Sequence, residues 1–246
     1  MTTFDPQLFA AALGAAEAAI DWAALEPVYC EGDARGFFSD ERLDAIRDAG
    51  LLFAGDLGEL LAAKGRSLYV GAGVAELAPL LFETVGLGRK VTVHGLPGAE
   101  LDQLGAAMAA AHEASGRPVP RITDAPMRPG ETGQVDHLWL VSVLTDPVAF
   151  PALHDRLYRR QGGPEAVGGG HPKAERERAR RLLVTALGAL VPPALVTTTD
   201  EELPLFEEPL EALGLTLVSP QVARLSGLVG DPIRHHRLRT VPGARR

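Results

Sequence analysis

The chain has 246 residues, 24 Lys and Arg against 32 Asp and Glu, a net charge of −8, and 46% hydrophobic residues. That length and apolar content suit one large domain, or a domain with an extension, built around a real core. The acidic balance argues against nucleic-acid binding through the general surface, because phosphate contacts need clustered Lys and Arg. The single cysteine, Cys30, excludes an internal disulfide and a cysteine-based metal centre.

The opening residues carry no basic segment, and Glu17 and Asp21 break their apolar run. A cytoplasmic protein without a signal peptide is expected. No run of about 18 uncharged apolar residues occurs, so no membrane span and no membrane partner are expected. Asp5-Pro6 reads as an N-cap and first helical residue, and Phe9, Leu13, Ala16 and Ile20 follow at helical spacing. Ser39 caps a second helix, with Asp40 and Glu41 in its first turn. A third helical segment is expected over 56–64, stopping at Gly65. Residues 1–65 thus read as a helical extension or cover, and 66–246 as the main domain.

From residue 67 the pattern changes. Strands are expected at 67–70, 90–94, 121–123, 135–144, 194–198, 215–218 and 233–241. Helices are expected between them at 75–85, 99–115, 147–160, 174–190 and 205–213. Strands separated by helices imply right-handed parallel crossovers with helices on both faces. Only the connection 219–232 lacks a helical pattern, so the last strand is expected to run antiparallel. The expected fold is α/β, a Rossmann-like, mostly parallel seven-stranded sheet. The glycine-rich stretch 161–172 reads as a mobile surface loop, with a lid over a ligand as the alternative. The tail, 242–246, reads as frayed.

The stretch SLYVGAGVAEL joins a strand (Leu68, Tyr69, Val70) to a helix through Gly71, Ala72 and Gly73. Glycines there let the backbone approach a ligand, and a helix N-terminus presents free N–H groups. Further pieces follow in order: a second strand ending at His94 and Gly95, Asp124 after the third strand, and Asp136 opening the fourth. In this order the chain resembles the class I S-adenosylmethionine (SAM)-dependent methyltransferases over about residues 56–241. The resemblance implies that Tyr69, Gly71, Ala72 and Gly73 flank the methionine part of SAM. It implies that His94 and Gly95 stand at the ribose-reading position, Asp124 and Ala125 beside the adenine, and Ser142 at the reaction-site end of the fourth strand.

Three positions depart from that family: Tyr69 replaces an acid, Ala75 replaces the third glycine, and neither His94 nor Gly95 is the acid that reads the ribose. His94 could accept one hydroxyl when neutral, or Glu100 could reach back from the next helix. Dinucleotide binding needs a small residue three positions after Gly73, where this chain has bulky, negative Glu76.

No HExxH pattern links the seven histidines, and the adjacent His235 and His236 face opposite sides of a strand, so no metal is expected. Asp146 could orient a substrate or cap the helix at Pro147. His171 could act as a general base if its loop closes. No partner for Cys30 is identifiable, and a buried thiol is the default. Tyr29, Phe37 and Phe38 belong either to the core or to a cover over the cofactor. The mixed charges of 173–181 read as a solvated helix face.

Two functions remain. One is an enzyme transferring a methyl group from SAM to an unidentified small molecule. The other is a methyltransferase-like protein that has lost SAM binding and serves as a binding or assembly module. The sequence does not decide between a monomer and a homodimer.

Overall fold

The computed structural model describes residues 4–30, 36–131, 133–160 and 166–243. The chain forms a mixed α/β fold with a mostly parallel central sheet and antiparallel strands at one end. Its residues group into two compact units: Met1–Ala125 with Arg224–Gly230, and Pro126–Ala223 with Asp231–Arg246.

In the first unit, α1 (Pro6–Ala18) starts where expected, Asp5 accepting the N–H groups of Gln7 and Leu8. Its buried face, Phe9, Ala12, Leu13 and Ala16, packs on α5 (Ala99–Ser115). Helix α2 (Trp22–Tyr29) was not legible in the sequence: only Leu25 of its residues is buried, so no apolar period marks it. Helix α3 is continuous over Asp40–Leu60, which corrects the expected separate segment at 56–64. Two of its three internal glycines, Gly50 and Gly58, serve close packing, and none of the three ends the helix. A Cβ at Gly50 would sit 3.1 Å from Ala78 Cβ, and one at Gly58 would sit 3.0 Å from Phe82 Cζ.

Strands β1 (Arg66–Val70), β2 (Lys90–His94) and β3 (Arg121–Thr123) run parallel, with Val70 opposite His94 and His94 opposite Thr123. The expected helix at 75–85 is one helical run of changing pitch: a 3₁₀ turn (Val74–Glu76), α4 (Leu77–Leu81) and a π turn (Phe82–Gly86). Behind β1 lies a buried ion pair, Arg89 to Glu83 at 2.8 Å, both side chains fully buried. Ser67 and Tyr69 donate their hydroxyls to Glu83, and Arg89 donates to the carbonyls of Ala62 and Arg66. The short β7 (Arg224–Leu225), unforeseen in the sequence, raises the strand number among the described residues to eight.

In the second unit, β4 (Val135–Leu140) is parallel to β5 (Leu190–Thr199), Leu138 opposite Val196. As expected, β8 (Pro232–Thr240) is antiparallel, pairing with β5 at Thr197–His235 and with β6 (Leu215–Val218) at Leu217–Leu238. The expected strand 135–144 stops at Leu140, because Ser142 turns left-handed at φ +56°. Helix α6 (Pro151–Leu157) starts later than expected, while α7 (Pro172–Gly188) and α8 (Glu207–Ala212) lie near the expected 174–190 and 205–213.

Among the described residues no single helix is long and apolar enough to cross a membrane. No three of their His, Cys, Asp and Glu side chains are placed to hold a metal ion.

Candidate functional site

The parallel order of β1, β2 and β3 brings their carboxyl ends together, where ligands of open α/β sheets bind. Gly71 ends β1, exposed and at φ +69°, a backbone state that L side chains rarely adopt. Its N–H donates to the His94 carbonyl at 2.7 Å, which ties the turn to the end of β2. Ala72 is buried beneath the turn.

Gly73 is the point of closest approach. Its N–H donates to Glu76 Oε2 at 2.9 Å, a reach-back within the first turn of the following helix. Over its other side lies the Glu100 carboxylate from the first turn of α5; a Cβ at position 73 would run into it. Only glycine leaves that space open. Glu100 Oε1 in turn accepts the hydroxyl of Tyr29, the last residue of α2. Tyr29 is packed in an aromatic cluster, stacked on Phe37 and edge-on to Phe38, which also meets Trp22.

Two carboxylates therefore meet at the glycine turn. Burial, with the nearby Glu100 charge, pushes Glu76 up to about 8 against the pull of the Gly73 N–H. The sequence contained a hint of Glu76, three residues after Gly73 at capping-box spacing. It contained none of the Glu100–Tyr29 contact, which joins residues 71 positions apart.

The remaining sequence-derived candidates fall as follows. His94 is half-buried, and its Nδ1 lies 3.1 Å from the Ala125 carbonyl. A carbonyl oxygen only accepts, so the imidazole carries its proton on Nδ1, and a neutral ring has its acceptor lone pair on Nε2. The Ala125 N–H is held by Thr123 Oγ1 at 3.1 Å, and Asp124 and Ala125 are both exposed at the end of β3. The Gly95 N–H donates to the Thr123 carbonyl at 3.1 Å. Thus Gly71, Gly73, His94, Gly95, Asp124 and Ala125 gather at one strand-end cluster.

Tyr69 does not. It is fully buried, its hydroxyl donates to Glu83 at 2.7 Å, and burial raises its phenol well above the usual range. Residues 68 and 70 alternate with it along β1, so its side chain serves the buried ion pair and neither lines nor blocks the turn.

In the second unit, Ser142 and Leu144 give their N–H groups to Glu202 at 3.1 and 2.6 Å. Glu202 is buried and pushed up to about 7 by that burial, against hydrogen bonds from Leu144, Thr198 and Ser142. Sequence reading missed Glu202; its position after three threonines reads as an ordinary strand end. Asp136 is half-buried on β4. Asp146 accepts the N–H groups of Val148 and Ala149, so it closes a turn before α6 instead of capping a helix at Pro147. His171 is the N-cap of α7, its Nδ1 accepting the Ala174 N–H at 3.3 Å. That role occupies the lone pair a general base would use. Of the glycine-rich loop, residues 161–165 lie outside the described residues, as do 244–246 of the tail. Cys30 is half-buried.

The chain is similar to solved structures, one of them at a TM-score above 0.5. NSun6 from Pyrococcus horikoshii, solved with SFG, is 13% identical at a TM-score of 0.51, over 78% of this chain and 52% of that one. A methyltransferase from Pyrococcus furiosus is 16% identical, TM-score 0.46, over 77% of this chain and 81% of that one. TrmN from Thermus thermophilus is 20% identical, TM-score 0.48, over 78% and 52%. This chain therefore spans about half the length of NSun6 and of TrmN. No protein-family profile matches the chain, and no curated protein matches it in sequence. The fold is that of the class I SAM-dependent methyltransferases.

Proposed function

We propose that the chain is a SAM-dependent transferase of the class I type, passing a methyl group to a small molecule. One observation carries the reading: Glu100 lies over Gly73 in a space that only glycine leaves open, with Glu76 on the same turn. The sequence lacks an acid at the end of β2, and Glu100 supplies a carboxylate at the turn from α5 instead. A turn lined by two carboxylates suits a ligand bearing an ammonium and a sulfonium. It opposes the pyrophosphate of a dinucleotide, which would meet like charge.

The residues present fit SAM in three ways. The Glu76 and Glu100 carboxylates would face its cationic part, His94 Nε2 would accept a ribose hydroxyl, and Asp124 with Ala125 would flank its base. SAM, when bound, supplies an electrophilic methyl on a sulfonium. The chain's own contribution is positioning, which is the larger part of such a rate enhancement. The turn is held by the Gly71-to-His94 bond, and Tyr29 holds Glu100 in place. Residues 1–65 would act as a cover, contributing Tyr29. The net charge of −8 favours a small-molecule acceptor over a nucleic acid.

A second reading has an observation of its own. Glu100 already has Tyr29, and Glu76 already has the Gly73 N–H, so the turn is satisfied without a ligand. A binding module that uses no SAM would look like this.

Titration calorimetry separates the two. Under the first reading SAM and its demethylated product bind saturably, NAD does not, and Glu100→Gln weakens SAM by about 10- to 100-fold, equivalent to roughly 1.5–3 kcal/mol. Binding at pH 7 also releases protons, because a cation at the turn lowers the raised carboxyl of Glu76; buffers of different ionisation enthalpy read this out. No heat and no thermal shift with millimolar SAM would remove the enzymatic reading.

A further inference from the structure

At one edge of the second unit, separate segments bring polar side chains together. β4 runs out into the loop that carries Thr145, and β5 runs out into Glu201. Antiparallel β8 starts at the end of β5, where the Asp200 N–H donates to the Pro232 carbonyl at 2.9 Å, so Asp231 arrives beside them. Tyr158, the residue after α6, donates its hydroxyl to Asp231, which is 7% exposed. Burial raises the Tyr158 phenol, and the bond to Asp231 and its charge raise it further. The Thr145 hydroxyl draws it back a little, and the Glu201 charge adds to the rise. The phenol thus feels all three neighbours.

What these groups lack is a donor. The Tyr158 proton goes to Asp231, so the phenol oxygen offers its lone pairs. Glu201 Oε2 is buried, and Thr145 is 3% exposed with its Oγ1 buried; neither atom reaches hydrogen-bond geometry with any described residue. Buried polar atoms left in this state are rare and point to a missing group.

The charge of that group follows from the surroundings. Burial raises the Glu201 carboxyl, the Asp231 and Asp200 charges add to the rise, and only its own backbone N–H offsets them. The neighbouring cations are engaged elsewhere. Arg234 forks onto Asp200 at 2.7 and 3.0 Å, and Arg160 donates to His154 Nε2 at 3.0 Å. No three described His, Cys, Asp and Glu side chains are placed for a metal ion. Unmet acceptors beside uncompensated negative charge call for a cation with several N–H donors, and an anion supplies neither. Tyr158 and Glu201 are half-buried, so the cluster is not sealed from the surface.

We propose that this edge of the second unit binds the primary ammonium group of a small molecule, held by Glu201, Thr145 and the Tyr158–Asp231 pair. The site lies wholly in the second unit and needs no SAM, so it stands or falls apart from the transferase reading.

The test uses the full chain without SAM. Butylamine, butanol and butyrate share a body and differ in charge; each is titrated by calorimetry, with calcium chloride beside them. Tyr158 is one of three tyrosines, so tyrosine-labelled NMR gives a local readout, its signal assigned by its loss in Tyr158→Phe. Butylamine is expected to saturate about tenfold or more tighter than butanol or butyrate, and to move the Tyr158 signal before those of Tyr29 and Tyr69. Glu201→Gln keeps the shape and removes the charge, and is expected to weaken the amine about tenfold with the thermal melt unchanged. If that variant does not fold, the charge series and the Tyr158 signal of the unaltered chain decide. Equal or tighter binding of butyrate or calcium, signal changes confined to Tyr29 or Tyr69, full affinity in Glu201→Gln, or no saturation at millimolar amine overturns the proposal.

Discussion

Residue-scale chemistry at the glycine turn rests on position 73. Gly73 has φ −114°, which any residue adopts, so its need for glycine is spatial and comes from the Glu100 carboxylate. Gly73→Ala is therefore expected to leave the melting temperature nearly unchanged while displacing Glu100 and weakening SAM at least as much as Glu100→Gln; calorimetry beside a thermal melt reads both. Gly71 is the opposite case, with φ +69°, and Gly71→Val strains the backbone itself. Both SAM affinity and stability should fall for that variant. The Arg89–Glu83 pair is a residue-scale matter of stability alone. Both side chains are fully buried, so Arg89→Met leaves a carboxylate without its main counter-charge. A loss of about 3–5 kcal/mol is expected in urea denaturation, far above that of an exposed pair.

At the scale of elements, local sequence rules worked where an apolar period or a cap was present. Residues 90–94, 99–115, 121–123 and 215–218 read correctly, each bounded by turn chemistry or a clean run. They failed at α2, which buries one residue, and at the carboxyl end of β4, where Ser142 turns left-handed and its N–H, with that of Leu144, goes to Glu202. His171 belongs to this scale too. As the N-cap of α7 it is expected to lose about 0.5–2 kcal/mol of stability on change to Ala and little on change to Asn, which caps as well. Chemical denaturation of the two variants checks this; a fall in turnover with no change in stability would return His171 to a catalytic role.

Across the whole molecule two desolvated carboxyls set a pH signature. Glu76 is pushed up to about 8 and Glu202 to about 7, each from an ordinary value near 4.5. Between pH 4.5 and those values the folded chain binds more protons than the unfolded chain. Their contribution to stability is therefore full below about pH 4.5 and is lost as pH rises through 7 to 8. Urea midpoints taken from pH 5 to 9 are expected to decline, and the decline should flatten in the double variant Glu76→Gln, Glu202→Gln.

The sequence by itself determined the alternation of strands and helices, the antiparallel last strand, and the glycine turn with His94 and Asp124 at neighbouring strand ends. These follow from periods and turn residues that act over a few positions. Tertiary structure alone decided that the Glu100 carboxylate lies over Gly73, that Tyr29 donates its hydroxyl to it, and that Tyr69 points away to Glu83. Those contacts join side chains from separate elements, and Tyr29 and Glu100 are 71 positions apart. Packing of α1 against α5 and of α3 against α4, which no local pattern encodes, brings such distant residues together.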